Sequence, residues 1–293
     1  MNINFEHYKV FYHVAKNLSF SEAAGQLYIT QSAVSQSIKL LEEKLGIKLF
    51  FRHTKVVKLT SEGKLLFHHI EQAYNFIQAG EKRINELHNL NEGEVIIGAS
   101  DTICKYYLLP YFRTFHQLYP KIKIRVINRP SPVCVEMLKK GSVDVSVVNL
   151  SDQWENKGFD MRILKEIQDV FIAGKPFLYL KNRKVHLKEL ETYPVLLLEK
   201  NSTTRDFFDD LMIRHQISII PEFELGSIDL LIELTKIGLG ISFVMQDTVT
   251  SAISNDELFK IDIVEDVPHR SIGILSNKHI PVPIAAQKFI NLF

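Results

Sequence analysis

Residues 20–46 read FSEAAGQLYITQSAVSQSIKLLEEKLG, and this stretch decides the architecture of the amino-terminal region. Two short helical segments flank the turn Tyr28-Ile29-Thr30. Ser19 followed by Glu22 fits a capping box for the first segment, which would bury Ala23, Ala24 and Leu27. Thr30 is placed to cap the second. There Val34, Ile38, Leu41 and Leu45 recur at intervals of four, three and four, which makes one stripe along a helix. Ser32, Ser35, Gln36 and Lys39 fall on the opposite face, and Gly46 ends the helix as a left-handed cap would. An exposed helix face normally shows charge to water. This one instead shows short uncharged donors and acceptors, with no acid before Glu42. Such a face is built for hydrogen bonding to something other than water alone.

Before this stretch, Asn4 can cap a helix whose Tyr8, Phe11, Tyr12 and Ala15 recur at helical spacing. After it, IKLFFRHTKVVKLT (47–60) alternates around a short polar centre and predicts a hairpin that carries Lys48, Arg52, His53, Lys55 and Lys58. Residues 1–60 hold eight Lys or Arg against four Asp or Glu, although the whole chain nets only +1. Positive charge is thus gathered where it can meet a polyanion. From Thr60 to about His88 the helical period returns. Leu66, Ile70, Ala73, Ile77, Gly80, Ile84 and Leu87 form a heptad seam over three repeats. A helix of this length, roughly 40 Å, presents more seam than a small domain covers. The expectation is a partner chain, with packing on its own domain as the alternative.

Asn91, Glu92 and Gly93 break the helix, and the pattern changes. EVIIGAS, KIKIRVINR and VDVSVVNL read as strands separated by helices at about 102–118 and 132–140, a βαβαβ order that implies a parallel sheet. DVFIAGK, VLLLEK, FELGS and GISFVM form a second set, with helices at about 203–215 and 228–237. The late strand HRSIGILSNK is expected to return to the first unit. Two α/β lobes joined by crossing segments leave a cleft between them. The expected division is therefore 1–60, 61–90 and 91–293: a basic, mainly helical region, a long linker helix with a dimerising seam, and two α/β lobes.

The rest of the sequence narrows the class. Cys104 and Cys134 are the two cysteines, too few for a disulfide framework. The start MNINFEHYKVFYHV lacks the apolar region of a signal peptide, and no apolar run approaches the ~20 residues of a membrane span. A cytoplasmic protein without a membrane partner is expected. No nucleophile elbow, phosphate-cradling glycine loop or metal-spaced histidine cluster is present, and Gly238-Leu239-Gly240 is too short for a dinucleotide fingerprint. An enzyme is not expected, nor a metal or cofactor.

The order of parts resembles the LysR-type transcriptional regulators, from about residue 3 to the end. The likeness is strongest in FSEAAGQLYITQSAVSQSIKLLEEKLGIKLFFRHTKVVKLTSEG, with a second stretch in ELGSIDLLIELTKIGLGISFVM. The resemblance implies an α/β chain overall. It would comprise a mainly α winged helix-turn-helix, a long dimerising linker helix and a two-lobed α/β effector domain similar to periplasmic binding proteins. It implies a homodimer or tetramer on interrupted palindromes in double-stranded DNA near promoters, acting on RNA polymerase indirectly. By this likeness Gln31, Ser32, Ser35 and Gln36 contact bases or nearby phosphates and Lys39 contacts phosphate. Ser32 departs from the proline that many members carry. Arg52 aligns with the wing arginine that enters the minor groove, with Thr54 and Lys55 beside it.

A small-molecule effector is implied in the cleft. Ser100 and Thr102 stand where a strand passes into a helix, as do Ser202 and Thr203 after VLLLEK, and Asn149 closes the third strand. Hydroxyls at helix N-termini suit an anion such as a small carboxylic acid, although they also serve as ordinary caps. Ser100, Thr102, Asn149, Ser202 and Thr203 are the expected effector contacts. Arg125 and Arg129 are possible clamps, whereas Asp101 would oppose an anion if it pointed inward. Two other readings remain: a redox-responsive regulator using Cys104, and an architectural DNA binder with no effector.

Overall fold

The computed structural model describes residues 3–51, 56–88, 92–151, 154 and 157–293. It divides into two compact units, residues 1–82 and 83–293.

The first unit begins with α1 (Phe5–Asn17), α2 (Phe20–Leu27) and α3 (Gln31–Leu45). Each start is capped by the residue that the sequence marks. Asn4 accepts from the Glu6 N–H, Ser19 from Glu22 as the forward half of the expected box, and Thr30 from Ala33. Gly46 closes α3 at φ 70°, donating its N–H to the Glu42 carbonyl. The α3 stripe faces inward. Val34, Ile38 and Leu41 are buried against Phe11, Val14, Ala23 and Leu49, with Leu45 packed at the edge. Each such side chain contributes about 1.5–3 kcal/mol of burial free energy, so the stripe pins α3 and leaves its other face outward. Behind α3, Phe50 bridges Leu59 antiparallel, and the Phe51 N–H donates to the Lys58 carbonyl at 3.0 Å. That is the base of the expected hairpin. Its tip, with Arg52, Thr54 and Lys55, lies outside the described residues.

The long helix α4 (Ser61–His88) follows. Its early seam positions do not wait for a partner chain: Leu66 and Ile70 pack on the core of their own unit. Tyr74, one position off the seam, stacks on Tyr12 with ring centroids 4.3 Å apart. The expectation of an intermolecular seam along the whole helix is corrected to this extent. Further along, Ala73, Ile77 and Ile84 are exposed. The side chain of Leu87 lies outside the description.

The second unit contains two α/β lobes. The first lobe comprises β1 (Gly93–Ala99), α5 (Asp101–Ile103), a π-helical turn (Cys104–Leu108), α6 (Leu109–Leu118), β2 (Ile122–Asn128), α7 (Ser131–Lys139), β3 (Val145–Asn149) and β4 (Phe159–Ile167). The chain then crosses to the second lobe. That lobe comprises β5 (Asp169–Gly174), β6 (Lys184–Val185), β7 (Val195–Leu198), α8 (Thr203–Arg214), β8 (Phe223–Leu225), α9 (Ile228–Lys236), β9 (Ile241–Met245), α10 (Thr250–Ser254), β10 (Leu258–Lys260) and β11 (Asp262–Ile263). It returns through β12 (Arg270–Asn277) and ends in α11 (Ile284–Ile290).

The first sheet runs β2-β1-β3-β12-β4 and the second β10-β5-β9-β7-β8, while β6 and β11 form a small parallel pair. The expected parallel sheet holds for β2, β1 and β3. β12 and β4 are antiparallel, because one carries the chain out of the lobe and the other brings it back. The return of β12 to the first lobe agrees with the sequence reading. The cores are separate: Phe171, Phe208 and Phe243 centre one apolar cluster of the second lobe, and Ile97, Phe115 and Phe289 that of the first.

Candidate DNA-reading face and inter-lobe cleft

Gln31, Ser32, Ser35, Gln36 and Lys39 are all exposed on the outward face of α3. Ser32 Oγ lies 2.9 Å from Thr30 Oγ1, so it lengthens the N-cap as well as facing water. Lys39 pairs only loosely with Glu43, at 3.7 Å and with both side chains exposed, so its ammonium is available at little cost. Tyr28, in the preceding turn, is 95% exposed and holds a left-handed backbone at φ 55°. This aromatic on the same helix-turn-helix carries no marked sequence signal. The buried carboxylate of Glu42 sits on the inner side of α3. It accepts from the Leu49 and Phe50 N–H groups at 2.9 and 3.4 Å and pairs with Lys48 at 3.1 Å. It thereby fixes where the chain leaves for the hairpin.

In the second unit, a cavity of about 150 Å³ lies between the lobes. Ser100, Thr102, Asn149, Ser202 and Thr203, expected as effector contacts, all line it. Arg129 and Asp101 line it too, and Arg125 does not. The elements explain the convergence. Ser100 is the N-cap of α5 and accepts from the Ile103 N–H. Ser202 caps α8 through Arg205, and Ser227 caps α9 through Leu230. Ser131 opens α7 and accepts from the Asn149 N–H at 3.1 Å. Four helix N-termini, two from each lobe, therefore meet at one cavity. The α7, α8 and α9 helices, nine to twelve residues long, each bring a partial positive charge of about half an electron, and all four starts bring N–H groups without an intrahelical partner. Thr102, also expected as a cap, is inside α5 and leaves the capping to Ser100. The Asp101 carboxylate is engaged by the Asn128 amide, which tempers its opposition to an anion.

Two further groups reach the cavity without a marked sequence signal. Arg270, the first residue of β12, is 8% exposed and forks onto Asp169, with Nε to Oδ2 at 2.5 Å and Nη2 to Oδ1 at 2.7 Å. Asp229, at the start of α9, accepts on one oxygen from Lys105 Nζ at 2.7 Å and from the Tyr106 hydroxyl at 2.8 Å. Lys105 and Tyr106 belong to the first lobe and Asp229 to the second, so these bonds latch the cleft. The hydrogen bond from Lys105 holds the Asp229 carboxyl below its usual range, and the same bond raises the Lys105 ammonium. Nearer the crossover, Lys165 of β4 pairs with Asp247 of the second lobe at 2.6 Å. The thiols behave differently. Burial pushes Cys104 up to about 12 and Cys134 up to about 11, which works against a thiolate sensor at either position.

A helix-turn-helix with a polar outward face, joined to a two-lobed binding unit, defines a DNA-binding regulator with its own ligand-binding module. The chain belongs to the LysR family. Residues 5–64 match the bacterial regulatory helix-turn-helix protein, lysR family, and residues 88–293 match the LysR substrate binding domain. A probable RuBisCO transcriptional regulator of Trieres chinensis is 29% identical over 289 residues, covering 95% of this chain and 92% of that protein. Among solved structures, full-length CbnR complexed with its target DNA superposes with a TM-score of 0.67 at 18% identity, covering 98% of each chain. The regulatory domain of Synechocystis PCC6803 CcmR in complex with 2-PG superposes with a TM-score of 0.62 at 21% identity, covering 69% of this chain and 95% of that one. No described helix is long and apolar enough to cross a membrane.

Proposed function

We propose that this LysR-type regulator reads a two-fold DNA site with the outward face of α3 and is switched by a small anion bound between its lobes. Gln31, Ser32, Ser35 and Gln36 contact base edges or their phosphates, and Lys39 contacts phosphate. Arg52, Thr54 and Lys55 contribute from the hairpin tip. The exposed part of the α4 seam, at Ala73, Ile77 and Ile84, pairs two copies, and a further pairing makes a tetramer. The protein works in the cytoplasm, without catalysis, and acts on RNA polymerase through the DNA. The domains divide near residues 60 and 90.

The observation that carries the switch is the meeting of four helix N-termini at one cavity. A site of this kind favours negative charge before any charged side chain is counted. Ser100, Thr102, Asn149, Ser202 and Thr203 supply the hydrogen bonds. Binding favours one degree of lobe closure, which changes the contacts between subunits and so the spacing of the paired α3 helices. The ligand moves that equilibrium only by its differential affinity for the two states. The complex of CcmR with 2-PG is in keeping with this reading, as is the similarity to the probable RuBisCO transcriptional regulator of Trieres chinensis.

A thermal-shift screen of small organic and inorganic acids, followed by footprinting with each hit, tests the proposal. A hit should stabilise the protein, alter the footprint and lose its effect in Ser100→Ala. Footprints unchanged by every acid would leave an architectural DNA binder as the better description. A footprint changed by peroxide and abolished by Cys104→Ser would favour the redox reading.

A further inference from the structure

We propose that Arg270 and Thr203 form a deep subsite in the cleft that takes the carboxylate of a small organic monoacid. The proposal rests on the cleft reading above and adds the group that answers the ligand's charge. The guanidinium can be accounted for bond by bond. Nε donates to Asp169, and Nη2 donates to Asp169 and, at 3.2 Å, to Thr204 Oγ1. Nη1 is buried and has no partner among the described residues, and the same is true of Thr203 Oγ1. Both residues line the one cavity. The Phe207 ring lies 4.9 Å from the guanidinium carbon and keeps the fork from swinging away. A native protein seldom leaves two buried polar groups unpaired on residues that line one cavity unless something else pairs them.

The class of ligand follows from charge and size. Asp169 already balances most of the Arg270 charge, so the N-terminus of α8 and the free edge of Arg270 together call for about one negative charge rather than two. A planar carboxylate matches the free guanidinium edge and can accept from the Thr203 hydroxyl with its second oxygen. A cavity of about 150 Å³ is the size that accepts benzene, so the ligand has about six heavy atoms. The subsite also lies on the hinge. Arg270 begins the strand that returns to the first lobe, and Asp169 begins the strand that enters the second. A ligand on Arg270 therefore bears on both crossings.

The test is titration calorimetry on the full-length protein with acetate, glycolate, pyruvate, inorganic phosphate and sulfate as probes. At least one monocarboxylate should bind. Arg270→Lys should weaken it by about tenfold or more, the factor carried by one charge-assisted hydrogen bond. Thr203→Val, which spares the Asp169 pair and guards against misfolding of the arginine variant, should weaken it severalfold. A carboxylate that binds, depends on Ser100 and ignores both Arg270→Lys and Thr203→Val would overturn the subsite and leave the cleft reading intact. Binding of phosphate or sulfate with no carboxylate bound would overturn the ligand class. Failure of every probe would overturn the proposal outright.

Discussion

Replacing Glu42 by Ala should loosen the DNA-binding unit selectively. The carboxylate is 2% exposed. It accepts from the buried Leu49 N–H at 2.9 Å and, less directly, from the Phe50 N–H at 3.4 Å. An unpaired buried donor costs about 1–3 kcal/mol. The Lys48 partner is 59% exposed, so that ion pair adds less than about 1 kcal/mol. The expected loss is about 2–4 kcal/mol. At about 4–8 °C per kcal/mol for a domain of this size, the midpoint should fall by on the order of 10–30 °C. Glu42→Gln keeps an oxygen for the Leu49 N–H and should lose about 1 kcal/mol. The single tryptophan, Trp154, lies in the other unit, so it separates the signals. Far-UV circular dichroism of Glu42→Ala should show an early helical transition, while Trp154 fluorescence melts as in the wild type. DNA affinity should fall as well, because the hairpin leaves α3 from this point. Coincident, unshifted melts by both probes would refute the idea that this carboxylate organises the hairpin base.

Gln31→Ala should lower affinity for the cognate site and spare scrambled DNA, while Lys39→Ala should weaken both and flatten the salt dependence by about one unit of slope; equal losses for Gln31→Ala on both duplexes would remove it as a base reader. Ile77→Asp sets a charge on the exposed α4 seam and should raise the dimer dissociation constant by about a hundredfold in sedimentation, since an unpaired buried charge costs several kcal/mol. With the Cys104 thiol at about 12, roughly one molecule in 10⁵ carries the thiolate at pH 7; iodoacetamide labelling of the native protein, followed by mass spectrometry, should be very slow there and accelerate in alkali. Asp229→Asn should weaken the latch and speed amide exchange around Tyr106 by up to about fivefold, since exposed pairs contribute no more than about 1 kcal/mol. Because its carboxyl is held below the usual range, the Asp229 latch is complete above the ordinary carboxylate pKa and lost as pH falls through the lowered one; wild-type exchange should approach that of the variant only in acid.

Much of the fold was legible because local chemistry and tertiary packing agree. Asn4, Ser19, Thr30 and Gly46 each cap the helix that they announce, and the Val34–Leu41 stripe faces the core. The strand-end hydroxyls were legible for the same reason, since Ser100 and Ser202 mark both a turn and a helix start. β4 was not. FDMRILKEI is buried only at its ends and shows no alternation, because its pairing with β12 comes from the chain crossing rather than from a buried face. Arg270 was not legible either. An arginine at the start of a strand is normally solvated, and its burial depends on Asp169, a hundred residues earlier. The seam of α4 was read correctly as a helix but too uniformly as an interface, because Tyr12 and its neighbours cover the first turns from within the same unit.

The position of β12 has a consequence for biosynthesis. This strand lies between β3 and β4, so the first lobe's sheet has a gap until residue 277 has emerged from the ribosome. Every strand of the second lobe's main sheet falls within residues 169–260 and can assemble sooner. At about 5–20 residues per second, roughly 10–40 s separate completion of the DNA-binding unit from completion of its sensor. During that interval a nascent chain carries a finished reading head and no means of regulating it.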